Sequence, residues 1–220
     1  MPMTNNSTPV FILGLFCSLF AYLEGHAQYL DQWHLAIEKN DIEIYTYRGS
    51  EMPVRGFKAK TTIGMPIDSF ETILDRVSRY TEWQDQVRSA KVVHRKSKDS
   101  YHFYTKIDVP FPGKDRDLIW AVQKEWDSHE GVLIYDQVCS TNTLPEKIKE
   151  SAITQVFGNW RLRPVSESEV EVTYVLMVDR AGRMTSWLLH MLNPETPFNM
   201  LNNLRNLPLY LDGEIEASLD

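Results

Sequence analysis

Gly113-Lys114-Asp115-Arg116-Asp117 sets two carboxylates on either side of a guanidinium, and a close acid pair can in principle do general acid and base work. The same spacing suits a structural role better. Asp115, Arg116 and Asp117 stand where a strand begins, and charge-assisted bonds from the arginine would pin a turn there. The six histidines are His26, His34, His94, His102, His129 and His190, with no pair at ligand spacing on one helix. His94 and His102 can face each other across a hairpin, but two imidazoles without a carboxylate make a poor metal site. No metal and no cofactor is therefore expected. GxSxG, GxGxxG, P-loop, HExxH and CxxC patterns are all missing, so no catalytic residue is assigned. Cys139, at the end of VLIYDQVC, reads as a small buried hydrophobe rather than a reactive thiol.

Aromatic and thioether side chains are the remaining chemistry. Trp120, Trp126, Tyr135, Trp160, Tyr174 and Trp187 fall in strand or helix patterns, joined by Met177, Met191 and Met200. Such a set builds either a large filled core or a cavity for a flexible apolar ligand. Composition alone leaves both open.

The elements that must position these side chains follow from periodicity. A short helix is expected over 29–39, then strands over 41–48 and 54–63 as a hairpin. Residues 66–80 carry Ile67, Phe70, Ile73, Leu74 and Val77 on one stripe, with Pro66 in the first turn and Asp68 and Glu71 near the positive end. Six strand patterns follow, over 90–95, 101–109, 118–126, 132–139, 153–163 and 170–178. Their short polar connectors imply antiparallel pairing. Helical spacing returns over 185–192 and 197–211, with Pro194 and Pro197 expected to break or kink it. The predicted fold is α+β, a helix-grip in which a curved antiparallel sheet wraps around a long C-terminal helix.

With 220 residues, 43% hydrophobic and 24% charged, the chain suits one globular domain with a substantial core. The net charge of −7 makes it a poor match for a phosphate backbone, so nucleic acid is not an expected partner. Residues 10–23 (VFILGLFCSLFAYL) form an apolar run too short for an ordinary membrane span and suited to a secretory signal. Gly25 and Ala27 fit a cleavage site before Gln28, although no Lys or Arg precedes Lys39. The expected organisation is a signal peptide over 1–27, or an uncleaved anchor, and one domain over 28–220. The expected location is accordingly periplasmic or secreted.

The segment YHFYTKIDVPFPGKDRDLIWAV at 101–122 resembles the START (StAR-related lipid transfer) domain, with its strand, Pro-containing turn and Arg-Asp opening the next strand. STNTLPEKIKES at 140–151 resembles that family's omega loop. GNWRLRPV at 158–165 and VTYVLMVDRAGRMTSWLLHMLN at 172–193 are similar to its last strands and final helix. The resemblance covers about residues 30–211. It implies a tunnel for a single lipid, lined by Trp120, Tyr135, Trp160, Tyr174, Met177, Trp187, Met191 and Leu201, with Leu144 and Phe198 at the gate. It implies a lipid partner (fatty acid, phospholipid or sterol), transient contact with a membrane surface, and a monomer that does no covalent chemistry. Sterol-binding relatives place an acid and an arginine near positions matching Phe103 and Val122, which are apolar here, so sterol specificity does not carry over. Two alternatives stand beside this reading. One is a cyclase/aromatase-like enzyme, which would need groups such as His102, Tyr104 or Asp136 to converge in the cavity. The other is a ligand-free interaction module of the cell envelope.

Overall fold

The computed structural model describes residues 32–47, 54–109, 111, 113–139, 156–179 and 191–207. The expected signal segment, the omega loop with Leu144, and Trp187 lie outside them. The strands are β1 (Trp33–Lys39), β2 (Ile42–Tyr47), β3 (Val54–Ile63), β4 (Val87–Arg95), β5 (Ser100–Ile107), β6 (Arg116–Asp127), β7 (Val132–Cys139), β8 (Val156–Ser166) and β9 (Glu169–Asp179). Helices α1 (Ile67–Asp75) and α2 (Glu195–Arg205) accompany them, with a 3₁₀ helix over Val77–Glu82.

All nine strands form one curved antiparallel sheet in the order β1-β2-β3-β9-β8-β7-β6-β5-β4. Every neighbour follows in sequence except β3 and β9, whose ladder runs from Val54↔Asp179 to Ile63↔Val170 and joins the two ends of the fold. The architecture is the α+β helix-grip that the sequence implies, with one strand more.

That strand is β1, where residues 29–39 had suggested a helix. Asn40 and Asp41 both adopt positive φ (53° and 55°), the geometry of a two-residue hairpin turn, and they fold β1 back onto β2. The 66–80 helix also divides. Helix α1 ends at Asp75, and the buried Tyr80 hydroxyl donates to the Leu74 carbonyl at 2.7 Å. That bond satisfies one of the helix's terminal acceptors and favours the tighter 3₁₀ turn that follows. Pro197 introduces no kink, because α2 begins at Glu195 and the proline sits in the first turn, where its missing N–H costs nothing.

Strand alternation sorts the side chains onto two faces. The concave face carries the main core, in which Ile44, Phe70, Tyr135, Leu162 and Leu201 are fully or almost fully buried. The convex face carries a separate small cluster of Tyr47, Phe157, Val175 and Met177. Gly56 sits where β3 meets β9. A Cβ there would lie 2.3 Å from the Leu176 carbonyl oxygen and 2.4 Å from Met177 Sδ. Backbone cannot yield as a side chain can, so Gly56→Ala is expected to destabilise by about 2 kcal/mol through overpacking, read as a lower midpoint in urea unfolding.

Candidate functional site

The concave face, the 3₁₀ helix and the stretch from Met191 into α2 enclose a cavity of about 370 Å³. Its walls are aromatic because alternate positions of neighbouring strands coincide. Phe103 of β5 is paired with Trp120 of β6, and their rings stack at 6.1 Å and 15°. Trp160 of β8 is paired with Tyr174 of β9 and stacks on it at 4.1 Å and 15°. Phe57 meets Tyr174 edge-on at 5.6 Å, and Tyr80 meets Phe103 edge-on at 5.4 Å, so the wall continues from β3 to the 3₁₀ helix. The Trp120 Nε1–H donates to Thr105 Oγ1 at 3.0 Å, fixing the indole with its polar edge satisfied.

Met191, Pro197 and Met200 close the cavity from the side of α2. Side-chain hydrogen bonds between described residues tie that roof across the mouth. Gln86 Nε2 donates to Thr196 Oγ1 at 3.1 Å, and Asn203 Nδ2 donates to Asp85 Oδ1 at 2.9 Å. The C-terminal end of α2 is tied more heavily. The Arg205 guanidinium donates to the carbonyls of Asn40, Asp41 and Thr62 and to Thr61 Oγ1. Asp85, Asp108 and Glu195 stand among the lining, and none of the described lining residues is Lys, Arg or His. Burial alone raises the Tyr174 hydroxyl above its ordinary value. Burial first, then the nearby Tyr101, Asp75 and Tyr174, raises Tyr80 well above it. Both are neutral across the physiological range.

Of the eight expected lining residues, the structure brings Trp120, Trp160, Tyr174 and Met191 together around this cavity. Leu201, on the buried face of α2, is fully buried in the core, and Phe198 is packed in the same core with the Lys39 ammonium over its ring. Tyr135 is fully buried away from the cavity. Its hydroxyl donates to Asp75 Oδ1 at 3.4 Å, and the Lys124 ammonium lies over its ring. Met177 belongs to the convex cluster, on the opposite face of β9 from Tyr174. The turn residues take partners other than the expected ones. Asp115 pairs with Arg88 (3.2 Å) and Lys106 (3.6 Å), and Asp117 accepts from the Tyr104 hydroxyl. Arg116 contributes no bond from its buried Nε. Cross-strand neighbours reach these carboxylates more directly than an arginine next to them in sequence, whose side chain points to the other side of the strand.

Phe57, Tyr80, Thr105, Gln137 and Leu176 line the cavity without having been singled out in the sequence, and so does Phe103, which was named there only as the apolar counterpart of a polar pocket position. Phe103 and Thr105 share the face of Tyr101 and Ile107, and Gln137 shares that of Tyr135 and Cys139. Conversely His102, Tyr104 and Asp136 alternate with these residues and lie on the convex side. Among the described residues, no group of three or more His, Cys, Asp or Glu side chains is placed to hold a metal, and no helix is long and apolar enough to cross a membrane.

Cys139 is buried, and burial pushes its thiol up to about 12. Because thiolate is the reactive form, alkylation of Cys139 at pH 8 is expected to run at least a hundredfold slower in the native protein than in urea, followed by peptide mass analysis. Equal rates would contradict the packing around β7.

Known proteins share this arrangement. A STAR-related lipid transfer protein from Xanthomonas axonopodis has a solved structure that is 24% identical, with a TM-score of 0.69 covering 80% of this chain and 97% of that one. Human StAR-related lipid transfer protein 5 is 12% identical, with a TM-score of 0.65 covering 87% and 91%. An uncharacterized protein of Pseudomonas aeruginosa is 24% identical over 176 residues, which is 80% of this chain and 86% of that protein. A family model described as START domain matches residues 23–207, spanning every strand and helix described above. The chain belongs to the START domain family.

Proposed function

We propose that this protein binds one hydrophobic ligand in its internal cavity and carries it between membranes as a monomer, without covalent chemistry. The observation that carries the reading is the cavity of about 370 Å³, walled by stacked aromatic rings and roofed by a helix tied at the mouth through neutral donors. Its size is at the small end of ligand pockets, about 300–1,000 Å³, and favours a single chain or a few fused rings over a two-chain lipid. Each methylene moved from water into such a wall is worth about 0.8 kcal/mol. A ten-carbon chain then gains roughly 8 kcal/mol, enough to compete with a bilayer. Structural relatives known as lipid transfer proteins support the same reading.

His102, Tyr104 and Asp136, the groups an enzyme would have needed inside, face away from the cavity, which favours binding over catalysis. The apolar run at 10–23 supports action outside the cytoplasm. Release at a membrane has a candidate contact in Phe111, which is 96% exposed in the connection between β5 and β6. That connection starts from Ile107 and Asp108, both of which line the cavity.

The test is transfer of a pyrene-labelled alcohol from donor to acceptor phosphatidylcholine vesicles. The protein is expected to accelerate transfer in proportion to its concentration, and no acceleration would overturn the carrier reading. Phe111→Asp is expected to slow transfer about tenfold while uptake from solution is kept, since burying a Phe side chain is worth about 1.5–3 kcal/mol. An unchanged transfer rate would remove Phe111 from the membrane contact.

A further inference from the structure

Two polar side chains inside the cavity have no hydrogen-bond partner among the described residues. Gln137 is 5% exposed and Tyr174 is 9% exposed, and both line the cavity. Their polar ends converge over Gly158. A Cβ built on that glycine would lie 3.1 Å from Gln137 Oε1 and 3.2 Å from the Tyr174 hydroxyl. The glycine therefore leaves open the space that the two groups share. Gln137 is held there by its register against Gly158, and Tyr174 by its stack on Trp160.

Buried amides and hydroxyls are normally paired, and an unpaired one costs more than a typical hydrogen bond gains. The contrast with the neighbouring polar groups is direct. The Trp120 indole N–H is bonded to Thr105, and the Tyr80 hydroxyl to the Leu74 carbonyl. The pair over Gly158 instead faces the cavity with no partner among the described residues. Gln137 and Tyr174 together supply both donors and acceptors, and neither carries charge.

We infer that Gln137 and Tyr174 form an uncharged hydrogen-bonding subsite that takes a hydroxyl or carbonyl group of an otherwise apolar ligand. The inference rests on the cavity reading above and narrows it. A carboxylate or phosphate would be buried here with no cation in the described lining, at a cost that an amide and a phenol do not offset. Asp85, Asp108 and Glu195 at the mouth add repulsion on its approach. The ligand class is thus an alcohol, ketone or ester with an apolar body, and not a free fatty acid.

The experiment compares decane, decan-1-ol and decanoate at pH 8, delivered from cyclodextrin to the full protein and followed by tryptophan fluorescence. Trp120 and Trp160 in the cavity wall are the reporters. Decan-1-ol is expected to bind at least tenfold more tightly than decanoate. Gln137→Leu and Tyr174→Phe are each expected to shrink the preference for decan-1-ol over decane about fivefold, the worth of one ordinary hydrogen bond. Because that readout is a ratio within one variant, a general loss of folded protein does not imitate it. Decanoate binding as tightly as the alcohol, or an alcohol preference untouched by both substitutions, would overturn the subsite and leave the cavity reading standing. Failure of all three probes to bind would overturn both.

Discussion

Gly158→Leu is expected to weaken uptake of a hydrophobic ligand roughly fiftyfold. The new side chain starts from a Cβ already in contact distance of Gln137 and Tyr174, so its remaining atoms can extend only into the cavity. It would displace about three methylenes of ligand at about 0.8 kcal/mol each, or roughly 2.4 kcal/mol in total. The nearest atoms it meets, Gln137 Oε1 and the Tyr174 hydroxyl, are side-chain ends, whereas Gly56 meets the Leu176 backbone, so the sheet should persist. Titration with decan-1-ol against circular dichroism of the same sample separates the two effects. Full uptake in a folded Gly158→Leu variant would place the ligand somewhere other than this cavity.

Lys124→Met is expected to cost about 3 kcal/mol of stability. The ammonium is only 5% exposed and lies 2.6 Å from Glu71 Oε1, 2.8 Å from Asp75 Oδ2 and 3.7 Å from Asp99 Oδ1. It ties α1 to the C-terminal part of β6, and Tyr101 and Tyr135 also donate to Asp75. Breaking a buried ion pair by deleting one partner costs about 3–5 kcal/mol, and the low end applies because the carboxylates are partly exposed and can regain water. Burial works against the charged lysine, but the hydrogen bonds it donates to Asp75 and Glu71 outweigh it and raise its pKa. A raised value means that the stabilisation is complete below the unfolded lysine pKa of about 10.4 and disappears as pH rises through the folded value. Burial, followed by the charge of Asp75, also raises Tyr101 and Tyr135, so their deprotonation opposes folding in the same alkaline window. The melting temperature should therefore fall above pH 10, and fall less steeply in Lys124→Met. An identical alkaline slope in both proteins would remove the lysine from that account.

Much of this fold could be read from residue order. Residues 54–63 and 132–139 are strands with the bounds that periodicity gives, because each has an apolar face packed on the core. Strand β1 defeats the same method. It is an edge strand whose residues are mostly exposed on both faces, so no period marks it, and its identity depends on pairing with β2. The division of the 66–80 helix depends on one tertiary bond, from Tyr80 to the Leu74 carbonyl, that local propensity does not contain.

The site was legible to the extent that strand parity was applied. Trp160 and Tyr174 are cross-strand partners and share a face, which registry alone places together. Met177 stands three residues from Tyr174 in the same strand, so a period of two puts it on the other side. Gln137 escaped notice because a glutamine in a strand resembles a solvent-facing position. Its even spacing from Tyr135 and Cys139 carried the opposite message. Leu144, expected at the gate, and Trp187, expected in the lining, lie outside the described residues.

The central claim is that the cavity holds a ligand, and native mass spectrometry of the purified protein, followed by organic extraction, tests it most directly. The account predicts a species heavier than the chain by one hydrophobic molecule, and an extract containing an uncharged lipid in stoichiometric amount. A protein at its bare mass that also takes up no added decan-1-ol would contradict it.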